Sequence, residues 1–284
     1  MNLDFLKCDT PEKEMAVKNC QALFTVGSVL YGLNIAGKSD QDYVGWFFPD
    51  EKYNGLGLDN IEQVQFSTKS SGINRKNTAE DLDCTLYSFN KYIKLLLNSN
   101  PNTLETLFIN KNCINYLTPL GKKIMDNYEL FINKKCFHSF SGYVMSQMHR
   151  LERNGQNGTG RQELISLYQY DTKMFSHCIR LYVECIELLS NHTITFPLKE
   201  NKNILLIKTG QWSFEKAMDE ANRLKKLCDE VYANSTLQYS PNFAEISKLV
   251  INMNKEFYGY NYKNTTKMSK LFADFLRNVA NKID

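Results

Sequence analysis

The chain has 284 residues, 34 Lys and Arg against 31 Asp and Glu, with 43% hydrophobic and 23% charged residues. That is a globular composition with room for one large domain or two ordinary ones, and the net charge of +3 is too small to point to nucleic acid by itself. No apolar run is long enough to cross a bilayer, Met1 to Thr10 lacks an apolar signal core, and the eight cysteines include no Cys-x-x-Cys pair. A cytoplasmic protein with reduced, mostly buried thiols is expected, with neither a zinc centre nor a disulfide framework. The abundance of Asn, Lys, Ile and Tyr suggests an AT-rich genome, as in a low-GC bacterium or a phage.

Thr10-Pro11-Glu12-Lys13-Glu14 predicts a helix start, with Thr as cap, Pro at the first helical position and acids in the first turn, running to about Cys20. Ala22 to Val26 predicts a buried strand. Gly27-Ser28 follows it at the start of a short helix through Leu33. Gly27 allows close backbone approach, and Ser28 adds a hydroxyl and an N–H suited to phosphate oxygens. Asn34 to Lys38 predicts a loop, and eleven residues separate Ser28 from Asp40-Gln41-Asp42. This acidic pair opens a second apolar run, Tyr43 to Phe48. On a strand Asp40 and Asp42 share a face. Adjacent carboxylates repel unless a cation lies between them, and a hard divalent ion such as Mg²⁺ suits oxygen ligands. Asp-x-Asp alone also occurs on solvated strand edges; the strand, Gly-Ser, spacer, Asp-x-Asp and second strand together are far more specific.

Gln63 to Ser67 is a further strand candidate. Ser67 to Thr78 predicts a mobile polar loop carrying Lys69, Arg75 and Lys76, most simply as solvated charges. Glu80-Asp-Leu-Asp-Cys-Thr-Leu-Tyr87 ends in strand-like alternation with Asp83 at its start. Asp81 has the same parity. Ser88 caps a helix with an apolar face from Phe89 to Leu97, ended near Pro101, and a second helix is expected at about 102–109. Glu105 could orient something in the site, with a surface or capping role the simpler reading. From about Lys111 helical periodicity dominates, so a soft boundary falls there, with a core over 1–110 and a helical region over 111–284. Helices are expected at 120–127, 139–153, 162–189, 213–233, 244–257 and 267–282, with a flexible break at 154–160. Phe196-Pro197, Ile204 to Ile207 and Thr209 to Ser213 read as turn and cap features.

On the long helix, Lys173, His177 and Arg180 are spaced i, i+4, i+7 and line one face. No acid is expected at the compensating positions. Such a stripe suits a triphosphate or a transferring phosphoryl group, with a solvated basic face as the alternative. Gln147 and Arg150 are weaker candidates for the same cleft.

The combination of Gly27-Ser28, the spacer and Asp40-x-Asp42 resembles the DNA polymerase β superfamily of nucleotidyltransferases. Tyr31-Gly32-Leu33, Ser39-Asp40-x-Asp42 with Gly45, Asn100-Pro101-x-x-Leu104-Glu105, and Tyr170-Asp171-x-Lys173 with His177-x-x-Arg180-Leu181 are similar to its RNA-repair-associated, RlaP-like branch. The resemblance spans about residues 20–240. Two departures, Val29 after Ser28 and Tyr43-Val44 before Gly45, reduce positive charge near the phosphate end.

The resemblance implies an α/β (α+β) fold with a small mixed sheet and a helical C-terminal region. It also implies two-metal nucleotidyl transfer with Mg²⁺ or Mn²⁺ and an NTP. Asp40, Asp42 and Asp83 would be the metal-binding and catalytic carboxylates, with Asp81 in reserve for the third. Gly27, Ser28, Lys173, His177 and Arg180 would bind the nucleotide. The family's association with RNA repair points to an RNA end as acceptor. Nucleotidylation of a protein or small molecule, and a non-catalytic nucleotide- or RNA-binding module, are the alternatives.

Overall fold

The computed structural model describes residues 3–37, 39–53, 60–68, 78–154 and 162–259. Helix α1, Pro11–Lys18, begins where the Thr10 hydroxyl accepts a hydrogen bond from the Lys13 amide, and Pro11 occupies a position whose N–H would have no helical partner. Strand β1, Cys20–Thr25, leads through Val26 to Gly27, whose φ of +66° turns the chain into the short α2, Gly27–Tyr31. Strands β2, Gln41–Phe47, β3, Gln63–Ser67, and β4, Leu82–Ser88, follow. With β5, Ile114–Leu117, they make one five-stranded sheet in the order β3-β4-β2-β1-β5. β2 and β4 run parallel, and the remaining pairs are antiparallel. The sheet is small and mixed, as expected. β5 was not expected: it lies in the stretch where helical periodicity dominates the sequence. Its four residues carry too short a pattern to signal a strand alone, and pairing with β1 makes it one.

Alternation gives the sheet two different faces. On one, Leu23, Phe47, Leu86 and Phe66 pack with Leu3, Leu6, Met15 and Ala16. On the other, Asp42, Val44 and Trp46 of β2 lie beside Asp83, Thr85 and Tyr87 of β4. The far end of this second face is sealed by α3, Phe89–Leu97, whose Phe89 and Tyr92 rings lie 5.2 and 5.6 Å from the buried Trp46. The carboxylates occupy the opposite end, where helical cover gives way to a cavity.

Asn100 caps α4, Pro101–Leu104, which tightens into a 3₁₀ turn over Glu105–Phe108, so the expected single helix at 102–109 is two short pieces. Thr106 donates back to the Thr103 carbonyl at 2.6 Å and shares a 2.7 Å bond with the Tyr92 hydroxyl, tying this turn to α3. The later helices are α5, Pro119–Asp126, α6, Lys135–Asn154, α7, Gln162–Tyr168, α8, Thr172–Asn191, α9, Asn201–Lys208, α10, Phe214–Asn234, and α11, Phe243–Tyr258. The expected continuous helix at 162–189 is broken between α7 and α8. Gln169 has a φ of +67°, and the Asp171 carboxylate accepts the Met174 amide, starting a new helix rather than extending the old one. The segment at 204–207, read as a turn feature, is instead part of α9.

The chain divides into two compact units, residues 1–241 and 242–284. The sheet and α1 to α10 belong to the first; α11 is the described part of the second. Within the first unit α8 packs against α6, α9 and α10 and is largely buried. Residues 69–77 with Lys69, Arg75 and Lys76, the break at 155–160 and the helix expected at 267–282 lie outside the described residues. Among the described residues no helix is long and apolar enough to cross a membrane.

The aromatic seal at Trp46 holds together the sheet face that carries the site. Trp46→Ala is expected to lower the unfolding free energy by about 3–5 kcal/mol, read as a lower urea midpoint. Gln65→Ala on the exposed side of β3 should leave that midpoint nearly unchanged.

Candidate active site

The register of the parallel pair sets Asp42 of β2 directly beside Asp83 of β4, and Asp40 stands two residues upstream on the same side. The three half-buried carboxylates present oxygens within 4.8 Å of one another. Asp81, the reserve candidate, is buried and turned elsewhere. It accepts hydrogen bonds from the Thr78 amide at 2.7 Å, the Thr78 hydroxyl at 3.1 Å and the Thr68 hydroxyl at 3.2 Å, closing the turn that enters β4. The structure therefore gathers Asp83 with the Asp-x-Asp pair.

Burial, and then the neighbouring charges of Asp40 and Asp83, push the Asp42 carboxyl up to about 6, while Lys173 and Lys208 pull it back. Carboxylates of one sign, all offering oxygens to one point, are the donor set a hard divalent cation takes. The turn beside them is built to the same point. A Cβ on residue 27 would collide with the Asp42 carboxylate, so Gly27 lets the backbone approach as closely as it does. The next side chain, Ser28, has a buried hydroxyl oxygen with no hydrogen-bond partner among the described residues. A buried hydroxyl without a partner is costly unless a ligand supplies one.

These residues open onto a cavity of about 590 Å³. Its walls differ in charge. Along β4, Thr85 and Tyr87 continue from Asp83, and with Asn102 of α4 they give the lining neutral hydrogen-bonding groups. The facing wall is basic: Lys173, His177 and Arg180 of α8 all line it, with Lys208 at the end of α9. Lys173 sits in the first turn of α8, where a cation works against the helix dipole. Its place suits an anion arriving in the cavity, not the stability of the helix.

Lys208 was not singled out from the sequence, because its helix was read as a turn. The available signal was the helically spaced Ile204 and Ile207, both buried, which puts a following lysine at a helix end. The Lys208 ammonium donates to the Leu33 carbonyl at 2.8 Å. Burial and the neighbouring Lys173 lower its pKa, partly opposed by Asp40 and Asp42.

Arg180 differs most from expectation. Two acids compensate it: Glu184 one turn along α8, at 2.8 Å, and Glu105 from the turn after α4, at 3.1 Å. Its guanidinium also lies over the Tyr31 ring, 4.2 Å from the centroid. Glu105 is 1% exposed, so it is not a surface residue; it stands at the C-cap of α4, and its side chain accepts the Tyr31 hydroxyl at 2.8 Å. Burial pushes the Glu105 carboxyl up to about 8 against the pull of Arg180. Gln147 is absent from the cavity wall among the described residues, and the side chain of Arg150 falls outside the described part.

A small mixed sheet that sets three carboxylates on neighbouring strands, beside a Gly-Ser turn and a basic wall, has the layout of a DNA polymerase β-type nucleotidyltransferase site. Residues 12–245 match the family described as RlaP, RNA repair pathway DNA polymerase beta family, and the chain belongs to that family. Among solved structures it is similar to a nucleotidyltransferase-like protein from Exiguobacterium sibiricum 255-15, at 11% identity and a TM-score of 0.27, over 76% of this chain and 69% of that one. No curated protein matches. The family makes the protein nucleotidyltransferase-like in function.

The Asp42 carboxyl gives a pH dependence with a definite sign. Its folded pKa of about 6 lies above its ordinary 3.8, so between these values the folded state holds a proton that the unfolded state has released. Metal-free protein should therefore lose stability as pH rises from about 4 through 6. Asp42→Asn should flatten that part of the profile and melt higher than the parent at pH 7.5. Calorimetry in EDTA across pH 4–8 checks both.

Proposed function

We propose that this protein is a metal-dependent nucleotidyltransferase that moves an NMP from an NTP to a hydroxyl acceptor, with an RNA end as the acceptor. The convergence of Asp40, Asp42 and Asp83 on one point facing Lys173 and Lys208 across a cavity carries this reading. The carboxylates would hold Mg²⁺ or Mn²⁺, which when bound supplies electrostatic stabilisation to the phosphates and lowers the pKa of the attacking hydroxyl.

The chain's own groups divide the remaining work. Gly27 and Ser28 bring a close backbone and a hydroxyl to the triphosphate. Lys173 and Lys208 neutralise it and the pyrophosphate that leaves, with His177 and Arg180 on the same wall. The acceptor oxygen forms its bond to the α-phosphorus, the bond to the β-bridging oxygen breaks, and the acceptor proton passes to Asp83. The neutral strip of Thr85, Tyr87 and Asn102 leads away from Asp83, on the side where an acceptor would lie. The family's RNA repair context supports RNA. A cytoplasmic setting belongs to the same proposal, supported by the eight free thiols, seven of them buried.

The test is label transfer. Protein with Mg²⁺ or Mn²⁺ and each α-labelled NTP is offered RNA with defined ends, lysate protein and a metabolite extract. Label on RNA, lost in EDTA and reduced at least a hundredfold in Asp42→Asn, is expected. Label on protein or a small molecule would move the acceptor to that class. Absence of metal-dependent NTP binding would overturn the reading. Lys208→Ala should weaken NTP binding about tenfold, a size expected for a lost charge-assisted contact.

A further inference from the structure

Arg180 lines the cavity wall, yet most of its capacity to donate is spent inside the protein. One terminal nitrogen, Nη1, donates to both Glu105 and Glu184, at 3.1 and 2.8 Å. The other, Nη2, lies 3.0 Å from Nδ1 of His177. A guanidinium has donors and no acceptor, so in this last contact the imidazole nitrogen must accept. An imidazole that accepts through Nδ1 is neutral and carries its proton on Nε2. The His177 ring is also packed edge-on against Tyr143, with centroids 5.3 Å apart at 68°. It lines the cavity between Lys173 and Arg180.

We propose that Glu105, Arg180 and Glu184 form a positioning cluster that holds His177 as the neutral Nε2–H tautomer, and that this N–H donates to a phosphate oxygen of the bound substrate. This rests on the nucleotidyl-transfer reading for the identity of that substrate. It assigns the wall two kinds of group. Lys173 and Lys208 supply positive charge, and His177 supplies a hydrogen bond of fixed direction without charge. Arg180 then acts through His177 rather than by direct engagement of phosphate. Its hold comes from three separate segments, since Glu105 follows α4, Glu184 lies on α8, and Tyr31, beneath the guanidinium, ends α2.

Two-bond ¹H–¹⁵N spectra of histidine-labelled protein at pH 7.5 read the tautomer directly, with the His177 signals assigned by their loss in His177→Gln. The Nε2–H pattern is expected, and its Nε2 resonance should move on adding inorganic tripolyphosphate with Mg²⁺. An Nδ1–H pattern, a doubly protonated ring, or an Nε2 resonance that tripolyphosphate leaves unmoved would overturn the proposal, whatever the fate of the transfer reading. Kinetics add a second arm. A glutamine amide nitrogen can stand where Nε2 stands, so His177→Gln should keep kcat/KM within about threefold, while His177→Ala loses roughly tenfold to a hundredfold. A His177→Lys variant more active than His177→Gln would show that charge is what matters, and would overturn the proposal too. Wild-type protein that transfers nothing, with the tautomer and its shift as expected, would instead remove the transfer reading and leave the positioned donor standing.

Discussion

The structure is built around a repulsion. Three carboxylates within 4.8 Å of one another, at an effective dielectric near 20, oppose each other by about 3.5 kcal/mol or more per pair when all are ionised. Lys173 and Lys208 offset part of it. Asp42 and Asp83 are locked side by side by the parallel register of β2 and β4, and a slip of one residue would turn one of them to the opposite face. The register is held by what lies further along the same strands. Trp46 sits under α3 on one face, and Phe47 and Leu86 are buried against the N-terminal segment on the other. Apolar burial on both faces holds an acidic cluster that would otherwise separate, and a bound cation would relieve the cluster's unfavourable energy.

The opposing charge comes from far away in sequence. Lys173 and Lys208 are carried by helices beyond residue 170, and neither place is chosen for the helix itself. Lys173 opposes the dipole of α8, and Lys208 is partly desolvated where it reaches the Leu33 carbonyl. That last bond ties the end of α9 to the loop following α2, so the basic wall and the Gly-Ser turn are held to each other as well as to the carboxylates. The result is a cavity with one basic and one neutral wall meeting at an acidic point, a charge layout matched to a polyphosphate on one side and an uncharged hydroxyl-bearing group on the other.

Much of this was legible locally. Gly27-Ser28 and Asp40-x-Asp42 are separated by a short helix and a loop, and two-residue strand alternation is enough to place both acids on one side. The 3.6-residue period likewise placed Lys173, His177 and Arg180 on one face of α8, and all three line the cavity. The features that escaped depend on partners distant in sequence. Asp81 and Asp83 share parity, and only the capping of the turn by Asp81 separates them. β5 is a strand because β1 is beside it. Glu105 looked like a surface acid because its partners, Tyr31 and Arg180, stand 74 and 75 residues away. Glu184, four residues from Arg180, was within reach of the helical period and could have been read as its compensating acid.

The cluster around Arg180 explains how such a site stays in one geometry. Two carboxylates and one guanidinium, all at 3% exposure or less by their side chains, would leave a net negative charge in the interior if all were ionised. Burial pushes the Glu105 carboxyl up, against the pull of Arg180, which favours its protonated form and eases that excess charge. The ion pairs hold this cluster in the interior even though Arg180 Nε and one Glu184 oxygen have no hydrogen-bond partner among the described residues, and removing one partner of such a pair typically costs about 3–5 kcal/mol. Its members come from α2, from the turn after α4, and from α8. The same tie therefore fixes the helix that begins with Gly27 and Ser28, the edge of the neutral wall and the origin of the basic wall. The sheet holds the carboxylates in register, and this buried knot holds everything that must face them.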